Sequence, residues 1–255
     1  QEHQASLYID DMRRNFQPSH ILQTMDLILF NSETDMPIYV ENNSPLLAKM
    51  RQMIVVDNIA DIQLIKNRLW NGVHAMLAWY ASLLGHETIG VAMGDVRVQS
   101  LVEHLVHEIK QGLSVCLPKR AKDLDRLAKS FVLSCQYAYK DPCQRVARDP
   151  LRKLNHNERV MGSIANNLKF DQPIESLLWG ASLGYFYAIK TFDMSLENIT
   201  EHLQSNIAQF DLDHALKKKI EQSIQQHLDQ LMEYPAYLKQ FKSFALPEEI
   251  KSSYA

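Results

Sequence analysis

From Asp57 onward, apolar positions recur with a period near 3.6 in windows at roughly 58 to 84, 97 to 117, 121 to 139, 157 to 169, 173 to 191 and 213 to 232. That pattern predicts six helices and almost no strand. Breaks fall between the windows: Gly85 after the first, Pro118 after the second, and Asp171-Gln172-Pro173 before the fifth, with the proline tolerated at a helix start. The first 56 residues read differently. Asp26–Phe30, Pro37–Glu41 and Met53–Val56 are short apolar or β-branched runs set off by Asn, Ser, Asp and Pro, which is strand-and-turn chemistry, and Leu7 to Phe16 suits a short helix stopped by Pro18. The expected fold class is mainly α: residues 57–255 form a multi-helical domain, preceded over 1–56 by a short mixed α/β remnant and linker. No internal repeat or low-complexity tract interrupts it. Lys217-Lys218-Lys219 reads as the solvated face of the last helix. Trp179 to Tyr187, with small residues four apart, reads as close helix packing rather than a cofactor box.

Composition narrows the functional classes. In 255 residues, 46% are apolar and 22% charged, which supports neither disorder nor a membrane protein. The net charge of −3 provides no basic field for nucleic acid. Three cysteines, Cys116, Cys135 and Cys143, form no C-x-x-C pair and read as free thiols of a reducing compartment, by default the cytoplasm. No run approaches 18 apolar residues, and the start carries no signal pattern. Glycine is scarce, with 8 in the chain against roughly 18 at an average usage of about 7%, and the first is Gly72. No glycine-rich nucleotide turn is present. With no initiator methionine, the chain reads as a piece of something longer, or as a processed protein.

Chemistry concentrates in Lys66-Asn67-Arg68-Leu69-Trp70-Asn71-Gly72-Val73-His74. At about 100° per residue, Lys66, His74 and Asn71 lie at about 0°, 80° and 140°, spread over about 12 Å of axis. All three can face one ligand. They offer an amine that becomes a base when desolvated, an amide and an imidazole, and Gly72 lets something approach the backbone. The same residues also suit the wet side of an amphipathic helix. A second group, Arg145, Arg148, Arg152, Lys153 and Arg159, gathers five cations within 15 residues. It reads either as a basic loop paired with Asp149 and Glu158 or as a phosphate clamp, since planar guanidinium matches phosphate oxygens and lysine adds a point charge. His104-Leu105-Val106-His107-Glu108 is neither H-E-x-x-H nor H-x-x-E-H, and no cluster with ligand spacing accompanies it, so no metal site is assigned.

The stretch IKNRLWNGVHAMLAWYASLLGHETIGVAMGD resembles the polyol-specific long-chain dehydrogenases, the mannitol dehydrogenase group, whose hallmark K-x4-N-x2-H precedes an apolar helix and a G-[HY]-x-x-I segment matched here by Gly85 to Ile89. Arg145 to Leu154, followed by Asn157-Glu158-Arg159, resembles the R-V-x-R-D-P-x-R-K-L segment of the branch that acts on mannitol 1-phosphate. In place of that family's usual R-F-x-N-P stands Leu133 to Tyr137.

The resemblance implies several things. Residues 1–56 would be the tail of an N-terminal dinucleotide-binding domain, and 57–255 the helical substrate domain. The reaction would be metal-independent, NAD-linked interconversion of fructose 6-phosphate and mannitol 1-phosphate, with NAD bound mainly by a domain absent from this chain. Lys66 would be the general base, and Asn71 and His74 would hold the reacting oxygen. Arg145 would lie near the sugar hydroxyls and Arg152 and Lys153 on the phosphate side, with Arg148 among the substrate-binding residues. The partner would be a sugar or polyol phosphate, with no nucleic acid or membrane. The isolated chain would then be inactive. A non-catalytic helical interaction module that keeps the fold without the cofactor domain is the alternative.

Overall fold

A computed structural model describes residues 38–42, 53–137, 141–233, 236 and 238. The expected helix at Leu7 to Phe16 and strand at Asp26 to Phe30 lie outside them. The other two short runs are strands. β1 (Ile38–Glu41) and β2 (Met53–Val56) pair in parallel, in register from Ile38 opposite Met53 to Glu41 opposite Val56.

Apart from one isolated bridge, everything described after β2 is helix and turn. The first window is a single helical rod with a change of winding inside it. α1 (Ile59–Ile65) is capped by Asn58, whose side-chain oxygen accepts from the Ala60 N–H at 3.0 Å. A π-helical turn follows over Lys66–Gly72, and α2 (Val73–Leu83) completes the rod before Gly85, at φ 87°, ends it. A short α3 (Ile89–Ala92) leads to α4 (Val96–Cys116) and α5 (Ala121–Tyr137). Two more short helices, α6 (Cys143–Ala147) and α7 (Pro150–Lys153), precede α8 (Met161–Lys169), α9 (Glu175–Phe192), α10 (Leu196–Ala208) and α11 (His214–Glu233).

α2 and α9 form the centre. Val73 through Ala81 are all buried, and so are Ser176 through Ala188. Both helices are apolar nearly all round, as helices surrounded by others must be. They approach closely because α9 has Gly180 and Gly184 on one face: a Cβ on Gly184 would come 2.6 Å from the Trp79 ring, and one on Gly180 would overlap the Met76 side chain. The small-residue spacing in the sequence therefore does serve packing. α11 covers another side of α9 with Ile220, Ile224, Leu228 and Leu231, while Lys218 and Lys219 face solvent.

A polar junction fixes where α9 begins. Its N-cap position is Ile174, which has no side-chain acceptor. Glu108 of α4 does that work, accepting the Ser176 and Leu177 N–H groups at 2.8 and 3.0 Å. Asn167 of α8 donates to the Glu108 and Pro173 carbonyls, both at 2.8 Å. The α9 start lies two residues beyond Pro173. Glu108 is thus committed to structure, and the neighbouring His104 has Nδ1 2.6 Å from the Ser100 carbonyl.

Candidate active site

Lys66 and Asn71 both lie on the π-turn, with Lys66 its first residue. The i→i+5 bonding of a π-turn is wider than an α-turn, so residues five apart come nearer one face than the α-helical value of about 140° allows. The turn thus draws the two together. Along it, burial increases: Lys66 is exposed, Asn71 half-buried and His74, in α2, buried. The His74 ring packs edge-on to Phe131 of α5 at 6.1 Å, and Trp70 packs on the same ring at 5.3 Å.

The two remaining motifs are joined by backbone. Thr88 and Pro142 form an antiparallel bridge, with the Ile89 N–H donating to the Asp141 carbonyl at 3.0 Å and the Cys143 N–H to the Glu87 carbonyl at 2.8 Å. The Gly85–Ile89 segment therefore holds the start of the Arg145–Leu154 segment. Trp79 of α2 donates its indole N–H to the Ala147 carbonyl at 2.9 Å, which places α6 along α2 near His74. His86 lies 3.1 Å from Asp95, whose carboxyl is held well below the usual carboxylate range, chiefly by hydrogen bonds from Arg97.

Burial holds His74 down at about 4, with Arg145, Lys153 and Arg159 acting in the same direction and Asp141 against it. His74 is therefore a neutral imidazole at physiological pH. The charged groups that influence it come from residues 141–159, so the two motifs, 71 residues apart at His74 and Arg145, converge on one place.

The five cations do not form one patch. Lys153 turns inward: it is 5% exposed, donates to the Val146 carbonyl, and is pulled down to about 8 by burial and then by Arg159 and Arg152. Arg145 is exposed and held by both oxygens of Asp141. Arg148 is exposed. Arg152 is also exposed and lies 3.9 Å from Glu158, while the more buried Arg159 reaches the same carboxylate at 3.4 Å. An open cleft of about 430 Å³, lined by Asn155, His156, Glu158, His202, Asn206 and Gln209, adjoins this turn. The lysine that the fold desolvates is thus Lys153, not Lys66. Arg152 and Lys153, adjacent on the one-turn α7, differ in surroundings: Arg152 is exposed and Lys153 is buried.

Two charged groups at the site had no sequence signal of their own. Asp141 stands four residues before Arg145 and anchors it. Arg68 is mostly buried on the π-turn and donates to the Glu158 carbonyl.

Residues 58–251 match the sequence family described as Mannitol dehydrogenase C-terminal domain. The chain belongs to that family. A mannitol-1-phosphate 5-dehydrogenase of Clostridium acetobutylicum is 30% identical over 125 residues, covering 48% of this chain and 32% of that protein. The enzyme of the same name from Buchnera aphidicola is 27% identical over 143 residues, covering 56% and 37%. The matched region is about a third of the length of each relative. Among solved structures, a Pseudomonas fluorescens mannitol 2-dehydrogenase ternary complex with NAD and D-mannitol superposes with a TM-score of 0.55 at 14% identity, over 74% of this chain and 42% of that one. A D-sorbitol dehydrogenase in substrate-free form gives 0.59 at 14% identity, over 78% and 45%. The helical architecture of this mannitol dehydrogenase C-terminal domain is therefore that of the polyol dehydrogenases. Among the described residues, no helix is long and apolar enough to cross a membrane.

Proposed function

We propose that this chain is the substrate-binding and proton-transferring half of an NAD-linked polyol phosphate dehydrogenase that interconverts mannitol 1-phosphate and fructose 6-phosphate. The observation that carries this reading is that Trp79 of α2 holds the segment with Arg145, Lys153 and Arg159 against α2 through the Ala147 carbonyl, which brings cations of differing surroundings within electrostatic reach of the neutral His74. Such an arrangement suits a polyhydroxylated substrate with an anionic end. The relatives' names point to the same substrate class.

The described residues do not form a dinucleotide cradle. Gly72, Gly90, Gly112, Gly162, Gly180 and Gly184 lie within helical turns, Gly85 and Gly94 lie in turns between helices, and none stands between a strand and the helix that follows it. The NAD that the reading requires is held elsewhere in the complete protein, and what this chain supplies is binding and proton handling. In the oxidative direction Lys66 removes the proton from the substrate hydroxyl, and in the reverse direction it returns it. Lys66 can act so only where water is kept from its amine, so its exposure in this chain assigns that exclusion to whatever closes over the π-turn. The Asn71 amide and the His74 imidazole hydrogen-bond the oxygen as charge develops on it. Because His74 is already neutral, its contribution does not titrate between pH 5 and 8. Lys153, inward and cationic, meets the substrate, and Arg152, exposed beside Glu158, takes the phosphate.

The test is a comparison of substrates in the complete protein with NADH as reductant. Fructose 6-phosphate is reduced, and Arg152→Ala raises its KM by roughly 10- to 100-fold, the scale of one charged hydrogen bond. Weak activity toward free fructose is unchanged in the same variant, at fixed salt because screening weakens an exposed contact. Equal losses on both substrates would remove the phosphate assignment and leave a plain polyol dehydrogenase. Absence of NADH oxidation with either substrate would favour the non-catalytic interaction module.

A further inference from the structure

The π-turn touches the turn after Lys153 at two points, and at both a side chain has been removed to let it happen. Gly72 is one: a Cβ there would come 3.0 Å from the Arg159 carbonyl oxygen. Gly162 is the other, since a Cβ on it would overlap the guanidinium of Arg68. Arg68 lies two residues after Lys66 and three before Asn71. Its guanidinium passes over Gly162 and donates to the Glu158 carbonyl, which also accepts the Gly162 N–H at 2.9 Å. The Glu158 side chain, meanwhile, reaches Arg159 and Arg152.

We infer that Arg68 is a positioning residue: by donating to the Glu158 carbonyl across Gly162, its guanidinium fixes the distance between the Lys66–His74 end of the site and the Lys153–Arg159 end. The inference rests on the dehydrogenase reading for its effect on turnover, but not for its structural content. Arginine suits the task because a planar fork donates to a carbonyl in a narrow space where a tetrahedral ammonium cannot lie flat. Burial pulls it only to about 10, so it stays charged at neutral pH. Arg68 is assigned no contact with the substrate. Its influence runs through spacing: a substrate anchored at its anionic end presents its carbinol carbon to Lys66 only if the two turns keep their separation, and a misplacement of about 1 Å can cost about 100-fold in rate.

Three variants of the complete protein test this: Arg68→Ala, Gly162→Ala and the double substitution. Arg68→Ala lowers kcat for fructose 6-phosphate on the order of 10- to 100-fold per folded molecule, with a smaller rise in KM, because anchoring survives while alignment is lost. Gly162→Ala keeps the arginine in the sequence but displaces its guanidinium, and produces the same split. In the double variant the added methyl meets no guanidinium, so the loss does not exceed that of Arg68→Ala alone. Arg68→Lys, which keeps a cation and a donor, recovers part of the turnover. A loss of thermal stability with kcat and KM unchanged per folded molecule would reduce Arg68 to a structural contact and overturn the inference. If the parent protein shows no dehydrogenase activity, the functional reading has failed, and hydrogen exchange judges Arg68 independently. Faster exchange at residues 155–163 in Arg68→Ala supports the tie between the turns, and unchanged exchange there overturns it.

Discussion

Glu108 and Lys153 are both almost wholly buried, at 6% and 5% exposure, yet their surroundings differ in kind. Glu108 meets two backbone N–H groups at the open start of α9, so its burial is answered by donors that would otherwise lack acceptors. Lys153 meets one carbonyl, and its charged neighbours include Arg159, Arg152 and Arg148, with Asp149 as the opposing charge. The first arrangement completes itself within the fold. The second holds like charges close together, at a cost to folding. Buried charge in this domain therefore falls into two classes, one met by donors that the fold would otherwise leave open and one set among like charges.

The largest effect that sharpens this contrast belongs to a residue in neither class. Lys66 is exposed, so Lys66→Ala changes unfolding free energy by no more than about 0.5 kcal/mol. In turnover it costs on the order of 10²- to 10⁴-fold if Lys66 is the base. Steady-state kinetics with denaturant melts separates the two, and near-normal turnover would remove Lys66 from the mechanism.

Next in size is Glu108→Ala, which leaves the Ser176 and Leu177 N–H groups buried without their acceptor and destabilises by about 2–4 kcal/mol. Glu108→Gln restores part of this. Burial raises the Glu108 carboxyl from its ordinary 4.5, so the folded state holds the proton more tightly than the unfolded. Stability from this group is accordingly greatest below the ordinary value and falls as pH rises toward the raised one. Glu108→Gln removes that slope. A melting series across acid pH in which parent and variant run parallel would show that the carboxyl is not what titrates.

The smallest effect has the opposite sign. Lys153 is lowered from 10.5 to about 8, so the unfolded chain binds its proton more tightly and parent stability rises with pH between about 8 and 10.5. Lys153→Met is expected to stabilise the domain at pH 7 by on the order of 1 kcal/mol, or about 2–4 °C in Tm, while weakening substrate binding. A Tm that drops instead would break the comparison, because Lys153 would then be a folding residue like Glu108.

The six long helices were legible from the 3.6 period, and the breaks at Gly85, Pro118 and Asp171-Pro173 were legible from turn chemistry. α10 was not. Its buried apolar positions are Ile199, Leu203 and Ile207, and the fourth buried side chain is the polar Asn206, which accepts the His156 N–H at 2.6 Å. Three buried apolar residues in a helix of 13 leave too thin a stripe to stand out. α3, α6 and α7 are too short to show a period at all. The residue types of the site were visible, and its geometry was not. An α-helical wheel places Lys66 and Asn71 wrongly because the rod changes winding beneath them. Which lysine is desolvated depends on the contacts of α7 with α9, and those join segments far apart in the chain.

The π-turn makes chain length itself a chemical variable. A π-turn is an α-helix holding one residue more than its winding needs, so removing any single residue between 66 and 72 would let the rod relax into unbroken α-helix with every backbone hydrogen bond satisfied. That shorter rod would be locally better wound. Because the turn absorbs its extra residue locally, the helices on either side would keep nearly their present phase, and α2 would still present its face to α9. What would change is the turn itself, which would narrow and alter the spacing of the side chains it carries. The surplus residue is thus spent on the width of one turn, and loss of a single codon there would remove that width while leaving a core that still packs and a sequence that still reads as helix.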